Sequence, residues 1–219
     1  MGIFDLNEEA TVIREPFLGS NLYYIDNFYK NPDAIVNMLC NTPSNLHHPR
    51  KDIIQYSLNG VYFEDRRHAI KNLEITPIYD HLSKICGQNP LHPYNDTILT
   101  NLMKFSRNDF NNYKDNYWHP HTDDGYTAIV YLNKFDDVYG TNLYKSVKPD
   151  LPETRGEHLD PWRSKENWEI ITTLRPEYNR CVLFDGNKFT HGMHICDDRY
   201  FDDQCRLNQV FFFKENKQD

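Results

Sequence analysis

Two histidines and two aspartates precede an apolar run in the stretch WHPHTDDGYTAIVYLN, residues 118–133. His121 and Asp123 are separated by one residue, and residues i and i+2 of an extended segment project to the same side. An imidazole and a carboxylate placed in this way can hold one metal ion together. The alternative is a surface turn, in which Asp123 or Asp124 begins an Asx-turn. A metal site needs at least one more ligand, which must come from elsewhere in the chain.

A second group of histidines lies in RCVLFDGNKFTHGMHI, residues 180–195, which we predict as one strand. It offers His191 and His194 as the third ligand. Two histidines and one carboxylate on one face of an ion leave three adjacent positions open, as non-haem Fe(II) oxygenases require for a co-substrate and O2. His119 with His121 would instead form the HxH pair of a cupin-type site, but the glutamate that follows in such sites has no counterpart here.

The run CRLNQVFFF, residues 205–213, places a single basic residue, Arg206, in an otherwise apolar strand. Arg206, Asn208 and Val210 share one face of that strand. A guanidinium directed into a barrel is costly unless a carboxylate meets it. That carboxylate is either a protein acid in a fixed salt bridge or one end of a dicarboxylate ligand whose other end chelates the metal.

These side chains have to be positioned by a fold in which helices come first and strands follow. Helices are predicted over 31–40 and 75–87, beside strands at 21–29 and 59–63. From about residue 97 the predicted strands are TILTNLMKF, GYTAIVYLN, GTNLYKS, WEIITTL, RCVLFDG and CRLNQVFFF. This order predicts an α+β protein whose helices buttress one side of a sandwich or barrel. The proline-containing segment 148–167 is either a functional lid or a surface loop.

The bulk properties exclude several classes of function. A chain of 219 residues with a formal net charge of -8 fits a single domain, and its acidity argues against a general binder of nucleic acid or anionic membranes. No apolar run approaches the roughly 20 residues of a membrane helix, and we see no secretory signal. The 5 cysteines are scattered without a CxxC pair, which favours a reducing cytoplasm.

The motifs HTD, VLFDGNKFTHG and RLNQVFFF, in that order, resemble the Fe(II)/2-oxoglutarate-dependent dioxygenases, most closely the prolyl-4-hydroxylase-like branch. The resemblance covers about residues 101–213 and includes the YLN at 131–133 and the GTNLY at 140–144. The N-terminal IDNFYKNPDAI resembles uncharacterised members of the superfamily, some encoded by phages of marine cyanobacteria, so a viral source and a host-cytoplasmic location stay open.

This resemblance implies a double-stranded β-helix (jelly-roll) core over 97–214, supported by an N-terminal α/β part over 1–96, in one domain spanning 1–219. His121, Asp123 and His191 would be the catalytic iron ligands, with His191 preferred to His194. Arg206 would pair with the C5 carboxylate of 2-oxoglutarate. The longer spacing from His191 to Arg206 than in many prolyl hydroxylases implies a longer turn between them.

A tyrosine that often assists 2-oxoglutarate binding in the family is replaced here by Val130, so another group must help. The candidates for that contact are Tyr117, Asn208, Tyr113 and Asn101.

The implied reaction couples the oxidative decarboxylation of 2-oxoglutarate by O2 to the hydroxylation of a C–H bond, with ascorbate as an accessory reductant. Peptidyl-proline is the leading substrate by resemblance, and a free amino acid or another small metabolite is the next. RLN also resembles the start of the closing motif of AlkB-like nucleic-acid demethylases, but the later arginine of that motif is Phe212 here. A non-catalytic barrel used for binding or assembly is the alternative outside enzymes. The sequence does not define an oligomeric state.

Overall fold

The computed structural model describes residues 2–41, 60–61, 76–88, 100–105, 120–134, 139–147, 167–195 and 206–213. Its strands are β1 (Thr11–Phe17), β2 (Ser20–Asp26), β3 (Gly60–Val61), β4 (Thr100–Phe105), β5 (Tyr126–Tyr131), β6 (Tyr139–Ser146), β7 (Trp168–Leu174), β8 (Arg180–Asp185), β9 (Thr190–Ile195) and β10 (Arg206–Phe212). The helices of this part are α1 (Pro32–Asn41) and α2 (Thr76–Cys86). None of the described helices has the length and apolar character needed to cross a membrane.

The strands form two antiparallel sheets. The larger sheet has seven strands in the order β1-β2-β8-β5-β10-β4-β3, and the smaller has three in the order β7-β6-β9. The predicted β-rich α+β architecture is therefore confirmed for this part of the chain. The predicted strand RCVLFDG corresponds to β8, but its continuation as one strand through residue 195 is wrong, because residues 190–195 form β9 in the smaller sheet.

Asp185, the last residue of β8, stabilises the turn that leads to β9. The carboxylate oxygen Oδ1 of Asp185 accepts hydrogen bonds from the backbone N–H groups of Asn187 and Lys188, at 3.2 and 3.0 Å. A side chain that captures the next N–H groups favours a turn over a continuing strand. The break places β8 and β9 in different sheets, and the candidate site lies where they separate.

Alternation along the strands of the larger sheet creates two separate cores. On one side, Val130, Leu183 and Phe211 pack with helical residues such as Ile35 and Leu82. On the other side, Ile129, Tyr131, Val182 and Phe184 pack with Leu143 of β6 and Leu174 of β7. The helices thus cover one face of the larger sheet, and the smaller sheet packs against its other face.

The N-terminal hairpin extends the larger sheet. β1 and β2 are joined by a two-residue turn at Leu18 and Gly19, whose φ angles of 44° and 73° match the twist of a tight hairpin. β2 pairs with β8 over Tyr23–Ile25, so the hairpin belongs to the same sheet as β5 and β10. The predicted strand at 59–63 corresponds to β3, and residues 148–166 of the predicted loop lie outside the described part.

Candidate metal centre

The segment before β5 is fixed by backbone hydrogen bonds to the chain on either side of the β8–β9 turn. His121 and His191 exchange two backbone hydrogen bonds, with N···O distances of 2.9 and 2.8 Å. The N–H of Asp123 donates to the carbonyl of Gly186 at 2.9 Å. Because the main chain is held at both points, the three side chains are brought together by backbone structure.

His121, Asp123 and His191 form a compact group of potential metal ligands, each offering one donor atom within 4.8 Å of the others. The Nε2 atom of His191 lies 3.2 Å from Oδ2 of Asp123, and the Nε2 atom of His121 lies 3.9 Å from Oδ1. Donors at adjacent positions around an ion with bonds of about 2.1 Å are about 3 Å apart. The spacing and the donor types therefore fit a first-row transition-metal ion.

The orientation of His191 places a lone pair toward this centre. Its Nδ1 lies 3.0 Å from the carbonyl oxygen of Phe189, and since a carbonyl only accepts, Nδ1 must carry the hydrogen. In the neutral ring, Nε2 is then an acceptor facing a carboxylate oxygen of Asp123. Two acceptors at 3.2 Å repel each other unless a proton or a metal cation lies between them. The Phe184 ring packs edge-on against the imidazole and limits its rotation.

The Asp123 carboxylate is charged and restrained. Burial alone would raise its pKa, but the imidazoles of His191 and His121 and the hydroxyl of Thr127 together hold the pKa of this carboxyl below its usual range. The Thr127 hydroxyl donates a hydrogen bond to Oδ2. Exposure falls from 30% for the His121 side chain to 15% for Asp123 and 4% for His191. The centre is thus open on the His121 side and closed by the core on the His191 side.

His194 does not join this group. It lies three residues after His191 on β9 and projects to the opposite face of the strand. Its Nδ1 lies 3.0 Å from the amide nitrogen of Asn142, whose oxygen accepts a hydrogen bond from Thr173. Burial lowers the pKa of His194, which favours a neutral ring that accepts the Asn142 hydrogen bond. His194 belongs to a polar cluster on the other face of the smaller sheet.

Arg206 and Asn208 lie buried on the face of β10 that meets the smaller sheet. The guanidinium donates through Nη1 to the side-chain oxygen of Asn208 at 3.0 Å and through Nη2 to the carbonyl oxygen of Gly140 at 3.2 Å. Both of these acceptors are neutral oxygens. The interior between the sheets therefore contains a cation and, at the end of β5 and β9, a cluster of metal-type ligands.

Tyr131 is a residue of this interior that the sequence analysis missed. It faces Asn208 across the β5–β10 pair and donates through its hydroxyl to Thr141 at 2.9 Å. Burial raises the pKa of Tyr131 to about 12, although the Thr141 hydrogen bond and the Arg206 charge oppose this. Val130, at the position where the resemblance led us to expect a tyrosine, packs on the helix side of the sheet. Thr127 and Tyr131 share one face of β5, but the run TAIVYL is apolar on both faces, so the alternation alone does not single them out.

The other predicted site residues have different positions. Tyr117, Tyr113 and His119 lie outside the described residues. Asn101 is in β4, opposite Val210. Asp124, the second aspartate of the motif, is exposed.

The similarity of this chain to known proteins is found in structure rather than in sequence. No protein-family model matches the chain, and no curated protein sequence matches it. The chain is similar in structure to an N-substituted L-amino acid dioxygenase from Burkholderia ambifaria AMMD, with a TM-score of 0.47 and 14% sequence identity, covering 88% of this chain and 82% of that one.

Proposed function

We propose that the protein is a non-haem iron dioxygenase that uses 2-oxoglutarate and O2 to hydroxylate a C–H bond. The observation that carries this proposal is the grouping of His121, Asp123 and His191 within 4.8 Å at one end of the space between the sheets. Two imidazoles and one carboxylate are the ligand set of Fe(II) oxygenases that keep adjacent coordination positions open. The three residues come from two separate segments, and the sequence resemblance assigns the same three to iron.

In this proposal His121 and His191 bind the ion through Nε2, and Asp123 binds through its carboxylate. When bound, Fe(II) supplies the redox chemistry that activates O2 for decarboxylation of 2-oxoglutarate and for C–H hydroxylation. The protein fixes much of this geometry before the ion arrives, because the backbone pair holds the main chain of His121 and His191 and the Phe189 carbonyl orients the His191 ring. The buried side at Phe184 and His191 excludes water from the reacting centre.

Arg206 binds the distal carboxylate of 2-oxoglutarate in this proposal. A guanidinium recognises a carboxylate through paired N–H donors, and the interaction between them is stronger in a dry interior than in water. Tyr131 is the neutral donor that we assign to the same carboxylate, and its O–H, which donates to Thr141 in this structure, would turn to the cofactor when it binds. Asn208 holds the guanidinium in place through its 3.0 Å hydrogen bond. We retain Tyr117 as a further cofactor contact on the sequence resemblance alone.

The fold that we propose for this activity is a double-stranded β-helix, formed by 97–214 and supported by 1–96 in one domain spanning 1–219. Two packed antiparallel sheets with the ligand group at one end support that assignment. The substrate that we propose from the prolyl-4-hydroxylase-like resemblance is a peptidyl-proline.

The experiment that tests the activity begins with binding, which needs no substrate. Addition of 2-oxoglutarate to the anaerobic Fe(II) protein should produce the visible charge-transfer absorption of a chelated 2-oxo acid. Exposure to O2 with ascorbate should then release succinate. Absence of both the absorption and iron uptake would favour the non-catalytic barrel.

Matched variants test the ligand assignment. His121→Ala and Asp123→Ala should abolish the charge-transfer absorption and the turnover, since each removes a ligand. Asp124→Ala is the control, because it removes an exposed carboxylate one residue from Asp123. Equal loss in Asp124→Ala and Asp123→Ala would contradict the assignment.

The substrate is tested separately, by mass spectrometry. Peptide, amino-acid and methylated-oligonucleotide panels are incubated with the active protein and searched for the mass of one added oxygen atom, or for loss of a methyl group. Oxygen addition to proline-containing peptides alone would support the peptidyl-proline assignment. Modification of free amino acids or oligonucleotides instead would replace it.

A further inference from the structure

The contact between Thr127 and Asp123 is not accounted for by the proposed activity. Thr127 is fully buried in β5, opposite Phe184 of β8 and Phe212 of β10. Its hydroxyl donates to Oδ2 of Asp123. A hydroxyl enclosed by two strands cannot follow a moving carboxylate, so it restrains the carboxylate to one rotation.

Without this hydrogen bond the Asp123 side chain would retain a choice of orientations. The backbone of Asp123 is fixed by the 2.9 Å hydrogen bond from its N–H to Gly186, but that bond does not set the rotation of the carboxylate. The two oxygens have different surroundings: Oδ2 is 3.2 Å from Nε2 of His191, and Oδ1 is 3.9 Å from Nε2 of His121. Thr127 is the neutral donor that distinguishes them.

The β8–β9 turn encloses the same contact from the other side. A Cβ atom added at Gly186 would collide with Oγ1 of Thr127 and would lie 3.0 Å from Cβ of Asp123 and 2.8 Å from the carbonyl oxygen of Gly125. Only a glycine allows the turn to approach this closely. The turn and the Thr127 hydroxyl together leave the carboxylate little room to rotate.

We propose that Thr127 is a positioning residue whose hydroxyl orients the Asp123 carboxylate so that it binds the ion through one oxygen, and that this sets the affinity of the site for divalent metals. The inference rests on the proposed metal centre and adds to it a residue that does not touch the ion. Binding through a single oxygen preserves the open positions that a two-oxygen mode would reduce. Outer partners of ligating side chains typically contribute about 10- to 100-fold in metal affinity.

The test uses Co(II) as the probe, in the full chain and without 2-oxoglutarate. Thr127→Val keeps the shape of the side chain and removes the hydroxyl, and Thr127→Ser keeps the hydroxyl. We expect the Co(II) dissociation constant to increase about 10- to 100-fold in Thr127→Val, with a changed visible ligand-field spectrum, and to return toward the wild-type value in Thr127→Ser. The rescue by serine separates orientation of the carboxylate from packing.

The matched control is Thr173→Val, which removes a hydroxyl that donates to Asn142 on the other face of the smaller sheet. Its Co(II) affinity and spectrum should equal those of the wild-type protein. If Thr127→Val does not fold, Thr127→Ala and Thr127→Ser are compared instead. Wild-type affinity and spectrum in the variant that lacks the hydroxyl would overturn the proposal, as would failure of serine to restore them.

The outcomes also separate this inference from the proposed activity. If Thr127→Val binds Co(II) more weakly and the wild-type protein does not decarboxylate 2-oxoglutarate, the role of Thr127 is supported and the dioxygenase is rejected. If Thr127→Val binds Co(II) normally and the wild-type protein turns over 2-oxoglutarate, the role of Thr127 is rejected and the dioxygenase is supported. A wild-type protein that takes up no Co(II) would overturn the metal centre together with the role of Thr127.

Discussion

Replacing Arg206 by Gln should weaken 2-oxoglutarate binding far more than metal binding. Arg206 is only 5% exposed, and it donates to Asn208 and to the Gly140 carbonyl at 3.0 and 3.2 Å. A guanidinium this deeply buried interacts strongly with an incoming carboxylate, because the protein interior screens charge poorly. Gln keeps a hydrogen-bond donor and removes the charge.

The magnitude follows from the burial of the pair. Truncating one partner of a buried, hydrogen-bonded charge pair costs about 2–5 kcal/mol. At 1.4 kcal/mol for each factor of ten, this corresponds to roughly a 30-fold to several-thousand-fold increase in the dissociation constant of 2-oxoglutarate. The Co(II) affinity should change little, because Arg206 is not one of the three grouped ligands.

Calorimetric titration of the Co(II)-loaded protein measures this effect, and the ligand offers its own control. 2-Oxobutyrate has the same chelating end as 2-oxoglutarate but lacks the distal carboxylate. The wild-type protein should prefer 2-oxoglutarate strongly, and Arg206→Gln should bind both acids with nearly equal weak affinity. Arg180→Gln is the protein control, since Arg180 pairs with Asp26 and Glu177 instead. An unchanged preference for 2-oxoglutarate in Arg206→Gln would refute the role given to the guanidinium.

Three further predictions concern the β8–β9 turn, the identity of the third ligand and the stability of the fold. Gly186→Ala should lower Co(II) affinity at least tenfold, since its Cβ would displace the Thr127 hydroxyl and crowd Asp123; an affinity equal to wild type in a titration would contradict this. Co(II) at about 100 times its dissociation constant should stabilise the wild-type protein by about 2.7 kcal/mol in denaturant unfolding. His191→Ala should lose this stabilisation and His194→Ala should keep it; the reverse would assign the third ligand to His194. Asn179→Ala should destabilise the fold by about 2–4 kcal/mol, because Asn179 makes two hydrogen bonds to the Tyr29 backbone and has a φ of 63°. Asn179→Gly tolerates that φ and should lose less; equal losses would show that the backbone conformation contributes nothing.

Local sequence signals were sufficient for most strands and for the residue types of the site. β5, β7 and β8 follow apolar runs that the sequence shows directly, and the one-residue spacing in HTD predicts that two ligands share a side. β1 was missed because nearly all of its residues are exposed, so neither face carries an apolar pattern. An edge strand of this kind is held by its backbone pairing with β2.

The parts that sequence reasoning missed have both local and long-range causes. The division between β8 and β9 is local, because Asp185 captures two N–H groups and the DG at 185–186 is a turn signal that was read as part of a continuing strand. Thr127 and Tyr131 were hidden because TAIVYL is apolar on both faces, as expected for a strand buried on both sides. The face of β5 that meets the smaller sheet follows from the pairing of β5 with β8 and β10, and the sequence does not display that pairing.

The backbone pair between His121 and His191 has a consequence for motion as well as for chemistry. It joins the segment that enters β5 of the larger sheet to β9 of the smaller one. A cation bound by both imidazoles would therefore cross-link the two sheets at the His121–His191 bridge. Amide hydrogen exchange along β9 should slow when the ion binds, while exchange in the β1–β2 hairpin, at the β1 edge of the larger sheet, should not change.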